Sequence, residues 1–247
     1  MNYYDNNTIK ELIDRKSIRV FTGKKIPNEI KEAILIASVN APTAGNQQLY
    51  SIIDVTDQEL KNKLAITCDN QPFIAKADLV LIFCADALKY IDAFKDANCN
   101  VREAGVGDIM LACCDAMCAS QNAVTAAWAL GIGSCYIGDI LENREIHKEI
   151  LNLPDHVLPV TMVVFGYPTD QQLDRKKPSR ADLKYVVSEN KYNRLQGEEL
   201  REFIGQKFGR DDYENKMQRI CDFKYNSSFS KELNRSVLKY LEEFKYK

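Results

Sequence analysis

Histidine is nearly missing from this chain: the 247 residues hold two, His147 and His156. A zinc site needs four ligands, or three and a water, so cysteine would have to supply almost all of them. The same shortage argues against a Ser-His-Asp hydrolase. Excess positive charge is absent too. The net charge is -2, whereas a general nucleic-acid binder is usually basic. Long apolar runs are lacking. Stretches such as Leu79–Ala85 fall far short of the roughly 20 residues that cross a bilayer. The start, MNYYDNNTIK, has no apolar segment of the kind a secretory signal needs, so none is expected. There is no CxxC pair and no P-loop lysine motif.

What is present is ordinary globular material, 45% hydrophobic and 28% charged. The length allows one large domain or two small ones. Eight cysteines stand at 68, 84, 99, 113, 114, 118, 135 and 221. Several lie inside apolar runs, which predicts buried, reduced thiols and a cytoplasmic location. Cys113, Cys114 and Cys118 are read as core packing rather than as metal ligands.

Thr8 and Glu11 have the spacing of a capping box. Ile9, Leu12 and Ile13 follow at helical spacing, so 8–15 is predicted as a helix. Pro27-Asn28 opens a second helix. The stretch 41–48 (APTAGNQQ) is predicted as a loop, and 49–55 as a strand. The run DLVLIFCAD at 78–86 is apolar throughout between acids, the pattern of a buried strand. Residues 108–130 form the longest helical candidate, apolar on most faces. Such a helix is buried in a core or between subunits, and it points to a dimer. A short segment follows at 131–138, then a strand at 160–165. From about 195 the chain becomes charged and amphipathic. These elements divide the chain into a core at 1–194 and a helical extension at 195–247. Helices dominate and strict strand–helix alternation is missing, so the class is α+β.

Gly131-Ile132-Gly133 begins like a dinucleotide fingerprint. However, Tyr136 stands where the third glycine belongs, and the segment follows a helix rather than a strand. A glycine ending the helix at 131 explains it. The concentrated anion site is instead Arg15-Lys16-Ser17-Ile18-Arg19: three cations and a hydroxyl within five positions. Alone, it could equally be a solvated charged face. The 42–48 loop supplies amide and hydroxyl groups, and Lys177-Pro178-Ser179-Arg180 adds a second basic pair. Two separated basic clusters suit a ligand with a phosphate and a polar ring.

With these residues the chain resembles the FMN-dependent nitroreductase family, and within it the larger NADPH-dependent nitroreductases and flavin reductases. The resemblance is carried by RKSIRVF at 15–21, APTAGNQQ at 41–48, QPFIAKA at 71–77 before the DLVLIFCAD strand, AWALGIGSCYIG at 127–138, and VVFGYP at 163–168 followed by KPSR. It implies a small antiparallel sheet flanked by helices, as an intertwined homodimer with FMN at the subunit interface. Arg15, Ser17 and Arg19 match positions that hold the FMN phosphate and the polar edge of its ring. Lys16 matches a position that is often arginine, and lysine lacks the bidentate fork. Asn46 and Gln48 match a loop from the other subunit, and Gln71 a glutamine near the ring. Tyr136, Ile137 and Gly138 fall where a backbone N–H meets flavin N5. Lys177 and Arg180 match basic residues that contact FMN, although the family spacing there is commonly one residue shorter.

The resemblance implies no catalytic side chain and no metal, since flavin N5 carries the chemistry. It implies electrons taken from NAD(P)H, with NADPH favoured, and passed in a ping-pong cycle to nitroaromatics, quinones or free flavin. Lys207 and Arg210 lie roughly where the larger subgroup keeps cations for the 2′-phosphate; surface charge on a helix explains them equally well. Open alternatives are another flavin-dependent branch of the same fold, such as a dehalogenase or a flavin-consuming enzyme, a non-catalytic flavin-binding protein, and a cofactor-free helical interaction protein.

Overall fold

The chain was analysed as a computed structural model that describes residues 5–244. In chain order its helices and strands are α1 (Asn7–Asp14), α2 (Asn28–Val39), β1 (Tyr50–Asp54), α3 (Gln58–Thr67), α4 (Pro72–Lys76), β2 (Leu79–Asp86), α5 (Leu88–Asp96) and α6 (Val106–Ala129). There follow β3 (Gly133–Ile137), α7 (Arg144–Ile150), β4 (Val157–Gly166), α8 (Asp170–Asp174), α9 (Gly197–Phe208), α10 (Tyr213–Lys224) and α11 (Ser228–Leu241).

The four strands form one antiparallel sheet in the order β1-β2-β4-β3. All eight positions of β2 are buried. Side chains alternate between the two faces of a strand, so the unbroken apolar run at 79–85 feeds two cores at once. Leu79, Leu81 and Phe83 join Ile34, Ala116, Ala123 and Val163 on one face. Val80, Ile82 and Cys84 join Leu64, Ile74, Ile140 and Val164 on the other. A register shift between Phe83 and Cys84 places Pro159 opposite Cys84. A bulge of this kind is where a sheet tolerates proline.

α6 is the central helix, and Ala112, Ala116, Ala119, Ala123 and Ala127 on it are fully buried. Small side chains let it lie close to the sheet and to α2. Ser38 Oγ donates to the Ala119 carbonyl at 2.9 Å, and Asn122 Nδ2 to the Ala37 carbonyl at 3.1 Å. The helix ends as the sequence suggests. Gly131 has φ 74°, its N–H donates to Trp128 at 3.0 Å, and the Ile132 N–H reaches back to Ala127 at 2.8 Å. That pairing closes a helix through a left-handed residue.

Several expectations need correction. α1 is capped not by a Thr8–Glu11 box but by Asn6, whose side chain accepts from Ile9 N–H at 3.2 Å. The 41–48 loop contains a short 3-10 turn at Ala44–Asn46. The segment after Gly131 is a strand, β3, at the sheet edge; five residues that begin with Gly133 are too short for a periodic signal. The cysteines are less buried than expected. Cys68, Cys84 and Cys135 are buried, Cys113 is half-buried, and Cys99, Cys114, Cys118 and Cys221 are exposed; all eight are free. On α6 the sheet-facing stripe is filled by alanine, so Cys114 and Cys118 fall on the outer face.

Contacts divide the chain into two compact units. One holds the residues up to Asp174 with those from Glu232 onward, and the other is Arg175–Lys231. The change of composition near 195 therefore does not mark the division. The end of the chain belongs to the first unit because Tyr240 and Phe244 are buried in a core with Leu49, Ala85, Ile109 and Leu158. Within the second unit, Gln206 Nε2 donates to Asp182 at 2.7 Å, and the Tyr185 hydroxyl to Glu202 at 2.5 Å. Among the described residues, no helix is long and apolar enough to cross a membrane.

Candidate active site

The Arg15–Arg19 segment lies along the outer edge of β3. Ser17 bridges Ser134, the Ile18 N–H donates to the Ser134 carbonyl at 2.9 Å, and Phe21 bridges Pro168. Two glycines permit this approach. A Cβ on Gly133 would lie 2.6 Å from Ile18 Cγ1, and one on Gly166 would lie 2.7 Å from the Phe21 ring. Fully buried Ile18 is thus a peg that fixes the cations flanking it. Lys16 Nζ donates to the Leu173 carbonyl, and the Arg19 N–H reaches Gln172 Oε1 at 3.4 Å.

The segment faces β3 with its polar groups. Burial raises the Cys135 thiol above its ordinary range, and Arg19, Ser17 and Arg15 beside it oppose that rise. Burial also raises the Tyr136 phenol, opposed by a bond from Ser120 and by the charge of Arg15. Arg19 stands 6.0 Å from the centre of the Phe73 ring, two residues past Gln71. Gln71 Nε2 donates to the Cys68 carbonyl at 2.9 Å and to Asp139 Oδ2 at 2.7 Å. The fold therefore gathers Arg15, Ser17, Arg19, Gln71 and the Tyr136-Ile137-Gly138 run around the end of β3.

Two features of this wall fit a bound anion with a flat ring. Arg15 Nη1 is buried without a hydrogen-bond partner, as is Ser134 Oγ. A buried guanidinium nitrogen left unpaired is costly unless something satisfies it. Gly138 is exposed, and a Cβ there would meet nothing within 4 Å. The backbone after β3 is open to a ligand.

Asn46 and Gln48 are held elsewhere. Their loop leads into β1, the opposite edge of the sheet from β3. Three strand spacings separate those edges, about 14 Å. Asp115 clamps the loop: its carboxylate accepts from the Ala44 N–H at 2.9 Å, the Leu49 N–H at 3.1 Å and the Thr43 hydroxyl. Gly45, Asn46 and Gln48 all have positive φ, at 56°, 58° and 51°. Left-handed non-glycine residues are uncommon, and strain of this kind gathers at functional loops. Asp115 was not singled out from the sequence. The signal was there, since with Asp108 it is one of only two charges on α6. Asp139, the partner of Gln71, was missed as well.

Lys177 and Arg180 belong to the second unit, where Arg180 Nη1 reaches the Pro178 carbonyl at 3.4 Å. In that unit Arg210 pairs with Glu202 at 3.0 Å and Glu198 at 3.6 Å, and Lys207 lies 4.9 Å from the Phe203 ring centre. Among the described residues, no group of three or more His, Cys, Asp or Glu could hold a metal ion.

A four-stranded antiparallel sheet with an Arg-Lys-Ser-x-Arg segment along its edge strand defines a class, and comparison with known proteins agrees. The nitroreductase family model matches residues 12–167, more than half the chain, and the chain belongs to that family. It is 35% identical to the FMN reductase (NADPH) of Bacillus subtilis over 190 residues, covering 76% of this chain and 75% of that one. It is 36% identical to the oxygen-insensitive NADPH nitroreductase of Salmonella typhimurium over 188 residues, covering 76% and 75%. Among solved structures, nitroreductase A of Vibrio parahaemolyticus superposes with TM-score 0.82 at 28% identity, covering 96% of each chain.

Proposed function

We infer that this chain is an FMN-dependent oxidoreductase that takes electrons from NAD(P)H, with NADPH favoured, and passes them by alternating substrates at one site to nitroaromatics, quinones or free flavin. Two observations carry the reading, in a chain of the nitroreductase family: the buried, unpartnered Arg15 Nη1 and, separately, the open backbone at Gly138. Relatives named as NADPH-dependent FMN reductase and nitroreductase support the donor and acceptor classes.

FMN, when bound, supplies the atom that accepts hydride and the store for two electrons. The protein's part is positioning. Arg15, Ser17 and Arg19 hold the phosphate and the polar ring edge through charge-assisted bonds. Lys16 adds charge to the same segment. Gln71 offers an amide acceptor, and Gly138 leaves its N–H accessible with Tyr136 and Ile137 leading to it. Cations near the ring stabilise the negative charge that reduction brings. The assignment of Lys177 and Arg180 to FMN rests on the resemblance.

The working form is a homodimer, with Asn46 and Gln48 supplied to the site by the partner subunit. The outer face of α6 supports this: Met110, Leu111 and Met117 are 59%, 52% and 41% exposed, with Cys114 and Cys118 exposed among them. Contiguous apolar surface of this kind marks an interaction face. Eight free thiols suit a reducing compartment, and we place the protein in the cytoplasm.

The test is the absorption spectrum of the purified protein, then NADPH and NADH oxidation with nitrofurazone and menadione. A yellow protein that turns over either acceptor, with higher kcat/KM for NADPH, is expected. A protein that takes up no FMN would overturn the reading. A yellow protein without turnover would be a flavin binder instead.

A further inference from the structure

Gln71 and Asp139 meet across 68 residues of chain, and their contact decides which way round the Gln71 amide stands. Gln71 Nε2 lies 2.9 Å from the Cys68 carbonyl oxygen and 2.7 Å from Asp139 Oδ2. A backbone carbonyl and an ionised carboxylate both only accept. Turned over, the amide would set its own oxygen against the two of them. The pair therefore fixes Nε2 between them, and both of its protons are spent. Oε1 is the atom left over, and it can only accept.

The backbones on both sides of this contact are anchored. Gln71 stands at the start of α4, where its N–H donates to the Ala65 carbonyl at 2.8 Å and its carbonyl accepts from the Ile74 N–H at 3.1 Å. Asp139 stands in the turn after β3, where its carbonyl accepts from the Glu142 N–H at 3.0 Å. Beside it, Ile140 is fully buried in one core with Leu64 and Ile74, and the Ile140 carbonyl is 2.9 Å from Nδ1 of the fully buried His147. The turn and the start of α4 are thus pinned to the same core, and the carboxylate sits one residue past the open Gly138 backbone. With the Cys68 bond alone, a side chain as long as glutamine keeps much of its rotamer freedom. The bond to the carboxylate, a charged acceptor, removes that freedom.

We propose that Asp139 is a positioning residue of the cofactor site: it orients the Gln71 amide so that Oε1 is presented to an N–H donor of the FMN ring. The proposal rests on the FMN reading above and adds the polarity of the contact. The oxidised ring carries a single N–H, on its pyrimidine portion, so an acceptor at Gln71 selects that edge of the ring. Asp139 acts through Gln71 and not by a contact of its own.

The test is a double-mutant cycle on FMN dissociation from the holoenzyme, read by flavin fluorescence on dilution, with wild type, Asp139→Ala, Gln71→Ala and the double variant. Asp139→Ala is expected to raise Kd about fivefold, the scale of one hydrogen bond. Gln71→Ala should raise it at least as much, and the double variant no more than Gln71→Ala. Asp139→Asn keeps an oxygen for Nε2 and should stay within about twofold of wild type. The absorption spectrum of the bound flavin should move in the same direction in Asp139→Ala and Gln71→Ala and stay in place in Asp139→Asn. A general loss of stability would not produce that pattern. Effects that multiply in the double variant, a wild-type Kd in either single alanine variant, or an Asp139→Asn as weak as Asp139→Ala overturns the proposal. If Asp139→Ala does not fold, Asp139→Gly takes its place in the cycle. A wild type that binds no FMN at any concentration is a different result: it overturns the functional reading and this proposal with it.

Discussion

Asp115, buried in the middle of α6, receives the Thr43 hydroxyl together with the Ala44 and Leu49 N–H groups, so one carboxylate closes the whole 43–49 loop. Asp115→Asn puts an amide donor where only acceptors fit. It should cost about 2 kcal/mol, the range for a lost bond to a charged group. Urea unfolding checks this, with wild-type stability as the contrary result.

Gly133 and Gly138 should respond oppositely to alanine. At Gly133 the new Cβ meets Ile18 Cγ1 at 2.6 Å and Ile18 Cβ at 2.8 Å, whereas at Gly138 it meets nothing. Gly133→Ala should lose about 1–3 kcal/mol through overpacking. Gly138→Ala should change stability by less than about 0.5 kcal/mol while weakening FMN binding, because the methyl group would stand where the proposed site receives the ring. Thermal melts and FMN titration separate the two effects.

Arg15→Ala removes the buried Nη1 assigned to the cofactor. FMN Kd should rise about tenfold or more, the scale of a charge-assisted bond. Arg15→Lys should recover only part, because it keeps charge but not the fork. Full flavin occupancy in the alanine variant after extensive dialysis would remove Arg15 from the site.

Glu142 makes stability depend on pH. Its folded pKa, about 7, lies above the ordinary glutamate value of about 4.3. The folded state therefore holds this proton more tightly than the unfolded one. The stabilisation it brings is complete below the unfolded value and is lost as pH rises through about 7. Glu142→Gln should accordingly be more stable than wild type at pH 8, by up to about 3 kcal/mol, relative to the difference at pH 4. Denaturation curves at the two pH values give the answer.

Leu111→Asp places a charge on the exposed apolar face of α6, where Leu111 is 52% exposed. Sedimentation should show a dimer for wild type and monomer for the variant. A wild-type monomer at micromolar concentration would contradict the proposed assembly.

Much of this was readable one dimension at a time. The run at 79–85 declares a strand buried on both faces, because no half-exposed strand could afford seven apolar residues in a row. The length and apolarity of α6 and the left-handed Gly131 at its end follow from composition and a single residue's freedom. The cluster at 15–19 stands out by its charge density, but only the other matching segments turn it into a candidate anion site. Other features left no local trace. β3 is too short and glycine-rich to show a period, and it exists because β4 and the 17–18 segment flank it. α1 takes its cap from Asn6, which holds the N–H of Ile9, because the helix begins at Asn7 and so leaves Thr8 inside it rather than at the cap position.

The amino-acid order by itself determined the most strongly patterned elements, the strand at 79–85 and the long helix at 108–130, and showed where charge is concentrated and how scarce histidine is. Tertiary structure alone decided which of those charges meet. Gln71 and Asp139 are 68 residues apart, and Thr43 and Asp115 are 72 apart. Periodicity and capping act over a few residues, whereas a buried carboxylate takes whatever donors the packed sheet and helices bring to it. That is why the charge cluster Arg15–Arg19 could be seen in the sequence, and why the pairs Gln71–Asp139 and Thr43–Asp115 could not.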